Sequence, residues 1–196
     1  MVKIPVKDFR EKFYEVINGE KFLYPSDTLA ENLVTGHLLI LLSMHVKTKR
    51  QGFIFMHLVT ELPDGNIVIP NLLFFDKAQE KLIIENPDDR FRGVPDMVAE
   101  IFSKSTMKRD MTIKKDIYER NGVKEYWLID PYSEYIQVYL LRDGKYQLDN
   151  VYQNYSDDEL AELTNDERTK VQLEIPVAVL DGFKVKIRNI FGWYFE

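Results

Sequence analysis

The chain has 196 residues, 45% of them hydrophobic and 13% aromatic, a formal net charge of -6 and no cysteine. That length and apolar content support a sizeable core and predict one domain over residues 1–196, while the absence of thiols excludes disulfides and thiolate metal centres. The acidic balance argues against a dedicated nucleic-acid binder, and the three histidines, carboxylates, carbonyls and water are the donors left for a metal. The opening residues lack the apolar core of a secretory signal, and no apolar run is read as approaching the roughly 20 residues that span a bilayer. A cytoplasmic protein without membrane association is the expectation.

In chain order, two apolar runs over 13–17 and 20–24 flank Asn18-Gly19, a pair that tolerates positive φ and predicts a hairpin. Pro25 ends the second strand, and Ser26 or Asp27 is placed to cap a helix reaching about residue 46. Leu33, Val34, His37, Leu38, Leu41, Leu42 and His45 recur there at helical spacing. Residues 52–62 and 65–75 are β-rich runs around Pro63-Asp64-Gly65 and predict a second hairpin. A largely apolar strand over 94–102, a helix over about 108–121 capped by Gly122, and a strand over 124–130 form a βαβ unit with parallel pairing. Runs over 135–141 and 146–152 around Asp143-Gly144 give a further hairpin. The fold class that follows is α/β, a mixed sheet packed by helices.

The central strand carries the chemistry. Asp96, Val98 and Glu100 share one face by the period of two, and acids in such a strand need compensation, which a divalent cation would supply. Four residues at about 3.3 Å each put Asp96 and Glu100 roughly 13 Å apart, too far to ligate one ion easily. A neighbouring strand lies only about 4.8 Å away and offers a nearer partner. Asp110, Lys114 and Tyr118 recur every four residues on one face of the following helix, so Lys114 is the candidate to stabilise transition-state charge. The bland alternative is an Asp110–Lys114 surface ion pair worth about 0.3–0.5 kcal/mol. Lys104, Lys108, Arg109 and Lys115 make the region basic, either as phosphate contacts or as a hydrated helix face. Lys47, Lys49 and Arg50 form a second basic cluster, and the acids between 149 and 174 suggest a solvated face or a lid.

Other polar residues have plainer readings. Without H-E-x-x-H spacing, His37, His45 and His57 are read as core or boundary histidines. Glu15 and Glu20 flank the first turn and are assigned to hairpin stability, Tyr126 and Trp127 to the core, and Ser103, Ser105 and Thr106 to capping. The aromatic end over 187–195 suggests either core packing or association through a strand edge, and hence a homodimer.

Taken together, Tyr14-Glu15 with Gly19-Glu20, Pro70-Asn71, Gly93, Pro95-Asp96, Glu100, Ser103, Ser105-Thr106, Asp110, Lys114, Tyr118, Gly122-Val123, Glu125-Tyr126-Trp127, Asp130-Pro131 and the closing Leu180 to Phe183 resemble the Uma-two family of restriction endonucleases. The likeness covers about residues 7–191 and is most specific over 93–131. It implies a restriction-endonuclease-like core of the PD-(D/E)XK superfamily and magnesium- or manganese-dependent hydrolysis of DNA. By that resemblance Glu100, Lys114 and Asp96 are the catalytic set, and the Pro-Asp of the family pattern corresponds to Pro70-Asn71. The implied metal ligands are then Asn71, Asp96 and Glu100, with Asp76 and Glu31 as further acids within reach of a shifted site. Asparagine offers one neutral carbonyl where aspartate offers a charge, so weaker metal holding is expected. Three functions follow: an active endonuclease, an inactive nuclease-fold protein that binds nucleic acid or a partner, and an oligomerisation module.

Overall fold

The computed structural model describes residues 13–85 and 90–192. The strands are β1 (Tyr14–Ile17), β2 (Glu20–Leu23), β3 (Gly52–Met56), β4 (Thr60–Glu61), β5 (Ile67–Val68), β6 (Leu72–Asp76), β7 (Phe91–Arg92), β8 (Met97–Ile101), β9 (Glu125–Asp130), β10 (Tyr135–Arg142), β11 (Lys145–Gln153), β12 (Glu174–Pro176) and β13 (Lys184–Lys186). The helices are α1 (Leu29–Lys49), α2 (Glu80–Ile84), α3 (residues 107–121), α4 (Asp157–Glu162), α5 (Asn165–Arg168) and α6 (Ile187–Phe191). A six-stranded sheet ordered β11-β10-β9-β8-β6-β3 stands beside a smaller one ordered β2-β1-β5-β4-β7. In the large sheet β8 and β9 are parallel, joined by α3, and the other pairs are antiparallel. The expected mixed sheet flanked by helices is therefore the architecture.

Alternation along β8 decides what faces what. Met97, Ala99 and Ile101 pack with Val34, Leu38, Leu42 and Val46 of α1. Val98 falls on the other face, among Ile117 and Tyr118 of α3, Ile17 and Val68 of the small sheet, and Leu62 just past β4. Glu100 shares the phase of Val98, so the strand's pleat aims its carboxylate at α3. Tyr126 and Trp127 are fully buried on opposite faces, as core residues.

Several expectations change. Thr28 caps α1, not Ser26 or Asp27, and completes a reciprocal capping box with Glu31. By length and composition α1 could cross a bilayer, contrary to the sequence reading; in the fold it lays Leu38 and Leu42 on the large sheet. The second hairpin splits between sheets. Residues 52–56 pair with 72–76 in the large sheet, whereas 60–61 pair with 67–68 in the small one. The chain changes sheets at His57, a non-glycine residue with φ 50 whose N–H is held by the carbonyls of Pro70 and Asn71. Ile187, Ile190 and Phe191 are buried in the core with α1, so this part of the aromatic end is no free edge; residues 193–195 lie outside the described ones. Glu159 and Glu167 complete capping boxes with Ser156 and Thr164, and the acids of α4 and α5 stay exposed, a solvated face.

Glu125 is wholly buried at the start of β9, accepting hydrogen bonds from Trp127 Nε1 at 2.7 Å and from the Val179 N–H at 3.0 Å. Burial raises its pKa to about 7, although both hydrogen bonds act the other way. A raised folded-state pKa means that this group's stabilising contribution is complete below about pH 4.5 and is lost as pH rises through 7. The Glu125→Gln variant is expected to flatten the fall in urea midpoint between pH 5 and pH 8, removing roughly 2–3 kcal/mol of pH-dependent stability. An unchanged slope would assign that dependence elsewhere.

Candidate active site

Helix α3 is not a uniform α-helix. Met107–Arg109 and Lys115–Asn121 are α-helical, but Asp110–Lys114 between them widens into a π turn. Such turns break the regular i to i+4 ladder and redirect side chains, often where a site needs them. Here Asp110 and Lys114 are both turned inward and buried.

Lys114 Nζ lies 2.6 Å from Glu100 Oε1, 2.9 Å from Glu15 Oε1 and 3.8 Å from Asp110 Oδ1. One ammonium thus faces three carboxylates, and its side chain is 3% exposed. The surface ion pair considered from sequence is therefore replaced by a buried cluster. Tyr118 Oη donates to the same Glu100 Oε1 at 2.6 Å. Both donors reach that one oxygen, and Oε2 has no hydrogen-bond partner among the described residues. Arg109 reaches the other oxygen of Glu15 at 3.2 Å, and the Ile69 N–H donates to Glu15 Oε1 at 3.0 Å.

The electrostatics follow from burial. Desolvation raises the pKa of Glu100, and the charges of Asp110 and Glu15 add to it against the pull of Lys114. Asp110 is raised in the same way, chiefly by burial. For Lys114 burial acts downward, but Glu100, Glu15 and Asp110 together reverse it and hold the amine above its ordinary pKa. Lys114 is accordingly a fixed positive charge, suited to stabilising an anion and unsuited to act as a base. Tyr118, buried and beside Glu100, is held well above the usual phenol range and serves as a donor.

Asn71 immediately precedes β6, and the pairing of Leu72 with Ala99 brings it alongside Glu100. Its Oδ1 accepts the Ile101 N–H at 2.9 Å. Asn71, Glu100, Glu15, Asp110 and Lys114 line one cavity of about 20 Å³, enough for a single water or a desolvated ion. Asp96 is not brought there. It precedes β8 at the far end of the strand, where it accepts from Lys124 Nζ at 2.6 Å, Gln79 Nε2 at 2.8 Å and the Asp76 N–H at 2.7 Å. The rise per strand residue separates it from Glu100, and the strand does not bend enough to close the gap. Asp76 stays with Asp96, beside a different cavity. Glu31 lines the Glu100 cavity, yet its Oε2 is taken by the Thr28 N–H at 2.6 Å.

Glu15 is the site member that hairpin logic passed over. Its signal was its phase, since Glu15 and Ile17 are the two buried residues of β1. Among the basic residues, Lys104 and Lys108 are exposed, neighbours in sequence of Thr106 and Arg109, which line the cavity. Lys115 departs from them and sits 3.9 Å over the Tyr139 ring. His37 Nδ1 meets the Ile190 carbonyl at 3.1 Å and His45 stacks on Phe183, as structural residues do.

Hard oxygen donors of this kind suit magnesium or manganese, which bind through one or two carboxylates with water and substrate oxygens. Glu100 and the Asn71 carbonyl fit such a sparse site. Among the described residues no three acids or imidazoles are grouped to hold an ion by themselves.

A crystal structure from Anabaena variabilis, titled a putative nuclease belonging to DUF820, superposes on this chain with a TM-score of 0.72 at 18% identity, covering 93% of this chain and 92% of that one. At that identity the likeness concerns the fold. No curated protein matches the chain. The family model Uma2, described as "Putative restriction endonuclease", matches residues 2–178, nearly the whole sequence and every residue of the acid and lysine cluster. The chain belongs to the Uma2 family.

Proposed function

We propose that this chain is a metal-dependent endonuclease that hydrolyses DNA phosphodiester bonds, slowed by asparagine at position 71. The observation that carries this reading is the convergence of Glu100 from β8, Lys114 from α3 and Asn71 from the start of β6 on one small cavity. Lys114 supplies a permanent positive charge beneath the cavity mouth, where the phosphate would sit, and Tyr118 and Lys114 fix the Glu100 carboxylate in one orientation. Magnesium or manganese, held by Glu100 and the Asn71 carbonyl, would polarise the scissile phosphate and acidify an attacking water. Lys104, Lys108 and Arg109 are proposed to follow the phosphate backbone.

The test is nicking of supercoiled plasmid. Wild-type protein with manganese is expected to convert it to the open circle, and Glu100→Ala to lose at least a hundred-fold in rate while keeping its fold by circular dichroism. Equal nicking by Glu100→Ala would remove Glu100 from the chemistry.

A second reading is favoured by Asn71 itself, whose carbonyl already accepts the Ile101 N–H. A cation would then be gripped chiefly by Glu100, and the chain would act as an inactive nuclease-fold module that binds DNA in a salt-sensitive way without cutting it.

A further inference from the structure

A larger cleft opens beside the Glu100 cavity. Its volume is about 630 Å³, and it shares Tyr24, Pro25 and Asp27 with the smaller cavity as a common wall. Its other walls include the exposed apolar side chains of Phe13 and Leu23, with the Asn32 amide and the His57 imidazole at its polar edge. Tyr24 and His57 are tilted against each other with ring centroids 5.9 Å apart. The two cavities are also joined through the backbone, because the His57 N–H is held by the carbonyls of Pro70 and Asn71.

The walls are oriented as well as placed. His57 Nε2 lies 2.9 Å from Asp27 Oδ2, a close approach not aligned as a hydrogen bond, while Tyr24 Oη donates to Asp27 Oδ1 at 3.4 Å. Asp27 thereby touches the polar atoms of both rings, one with each oxygen. A phosphate bound at the mouth of the Glu100 cavity, over Lys114 and beside Arg109, has its own sugar and base within a few bond lengths, and Tyr24 in the shared wall offers that base an aromatic face. Among the described residues that line this cleft there is no lysine or arginine. Exposed basic residues lie instead at the Thr106–Arg109 wall of the smaller cavity, opposite in composition to the Tyr24 wall.

We propose that this cleft receives a single unpaired base, so that the preferred substrate is DNA with an unpaired nucleotide next to the phosphate bound at the mouth of the Glu100 cavity. The inference rests on the nuclease reading for that phosphate and adds the substrate class. The backbone would run over Lys104, Lys108 and Arg109, and the base would enter between Tyr24 and Leu23.

Fluorescence anisotropy without divalent cation compares a labelled single-stranded 15-mer with the same sequence as a blunt duplex, for wild type and for Tyr24→Leu. The substitution removes the ring from a half-buried position, keeps an apolar side chain there and adds no charge, and circular dichroism reports that the fold is kept. A base stacked on an aromatic side chain strengthens binding by roughly ten-fold or more. The single strand is therefore expected to bind at least ten-fold tighter than the duplex, and Tyr24→Leu to lose most of that advantage while duplex binding stays the same. Equal binding of both forms, or a single-strand affinity untouched by Tyr24→Leu, overturns the cleft proposal. Plasmid nicking distinguishes the two readings: nicking with no strand preference leaves the nuclease standing and the cleft refuted. Strand preference without nicking upholds the cleft on a protein that binds but does not cut, and no binding to either form refutes both.

Discussion

The Lys114→Met variant is expected to lose about 3–5 kcal/mol of folding stability, because it leaves three buried carboxylates facing one another without their cation. For a chain of this length that corresponds to a fall of roughly 6–20 °C in thermal midpoint. Methionine fills much of the volume of the lysine stem, so the loss is electrostatic and its pH dependence is diagnostic. Without the ammonium, Glu100 and Asp110, already raised by burial, move higher still. Raised acids contribute stability that is present at low pH and lost as pH rises, so the deficit relative to wild type should be small near pH 5 and large near pH 8. Adding Glu100→Gln to Lys114→Met should recover part of the deficit at pH 8. A thermal midpoint within 2 °C of wild type at both pH values would mean that the cluster is not closed in solution. Nicking should be lost with Lys114→Met at any pH, since the fixed charge beside the phosphate is gone.

Asn71→Asp is expected to act in the opposite sense on metal affinity. An aspartate at this position can still accept the Ile101 N–H and brings a second charged oxygen beside Glu100. In the absence of divalent cation that charge adds to an already acidic cluster and should lower stability by about 1–2 kcal/mol. Manganese should reverse the loss, since a ligand that binds only the folded state stabilises by RT ln(1 + [L]/Kd), about 2.7 kcal/mol at a hundred times Kd. Wild type should gain far less at the same concentration, and nicking by the variant should rise ten-fold or more. A manganese-dependent rise in midpoint equal for the two proteins would show that position 71 does not touch the ion. The thermal measurement separates metal binding from turnover, which the nicking rate alone does not.

Much of this arrangement was legible in the sequence, and particular residues show why. The apolar run around Glu100 marks a central strand, and the four-residue spacing of Asp110, Lys114 and Tyr118 marks a helix face. The residues from Gly93 to Pro131 carry the resemblance that placed Asn71 next to Glu100, and the register of β6 against β8 puts it there. Asp96 stands apart from Glu100 by roughly 13 Å, as the strand rise alone requires, but the cavity it reaches is set by packing across the sheet. Its partners, Gln79 and Lys124, come from elements distant in sequence. Glu15 was assigned to its turn because local signals weigh neighbours along the chain, whereas its partners Arg109 and Lys114 lie over 90 residues away.

Local patterning alone determined the first hairpin, α1, the parallel β8–α3–β9 unit and the β10–β11 hairpin, and it singled out Lys114 and Glu100, since these depend on alternation, helical period and turn chemistry within a few residues. Only the tertiary structure decided which charges meet. The π turn rotates Asp110 and Lys114 inward, the small sheet delivers Glu15, and His57 switches the chain between sheets to leave a cleft beside the cavity. The reason is physical. Burial sets the cost of an unpaired charge, and that cost is decided by contacts between segments that the order of residues does not reveal.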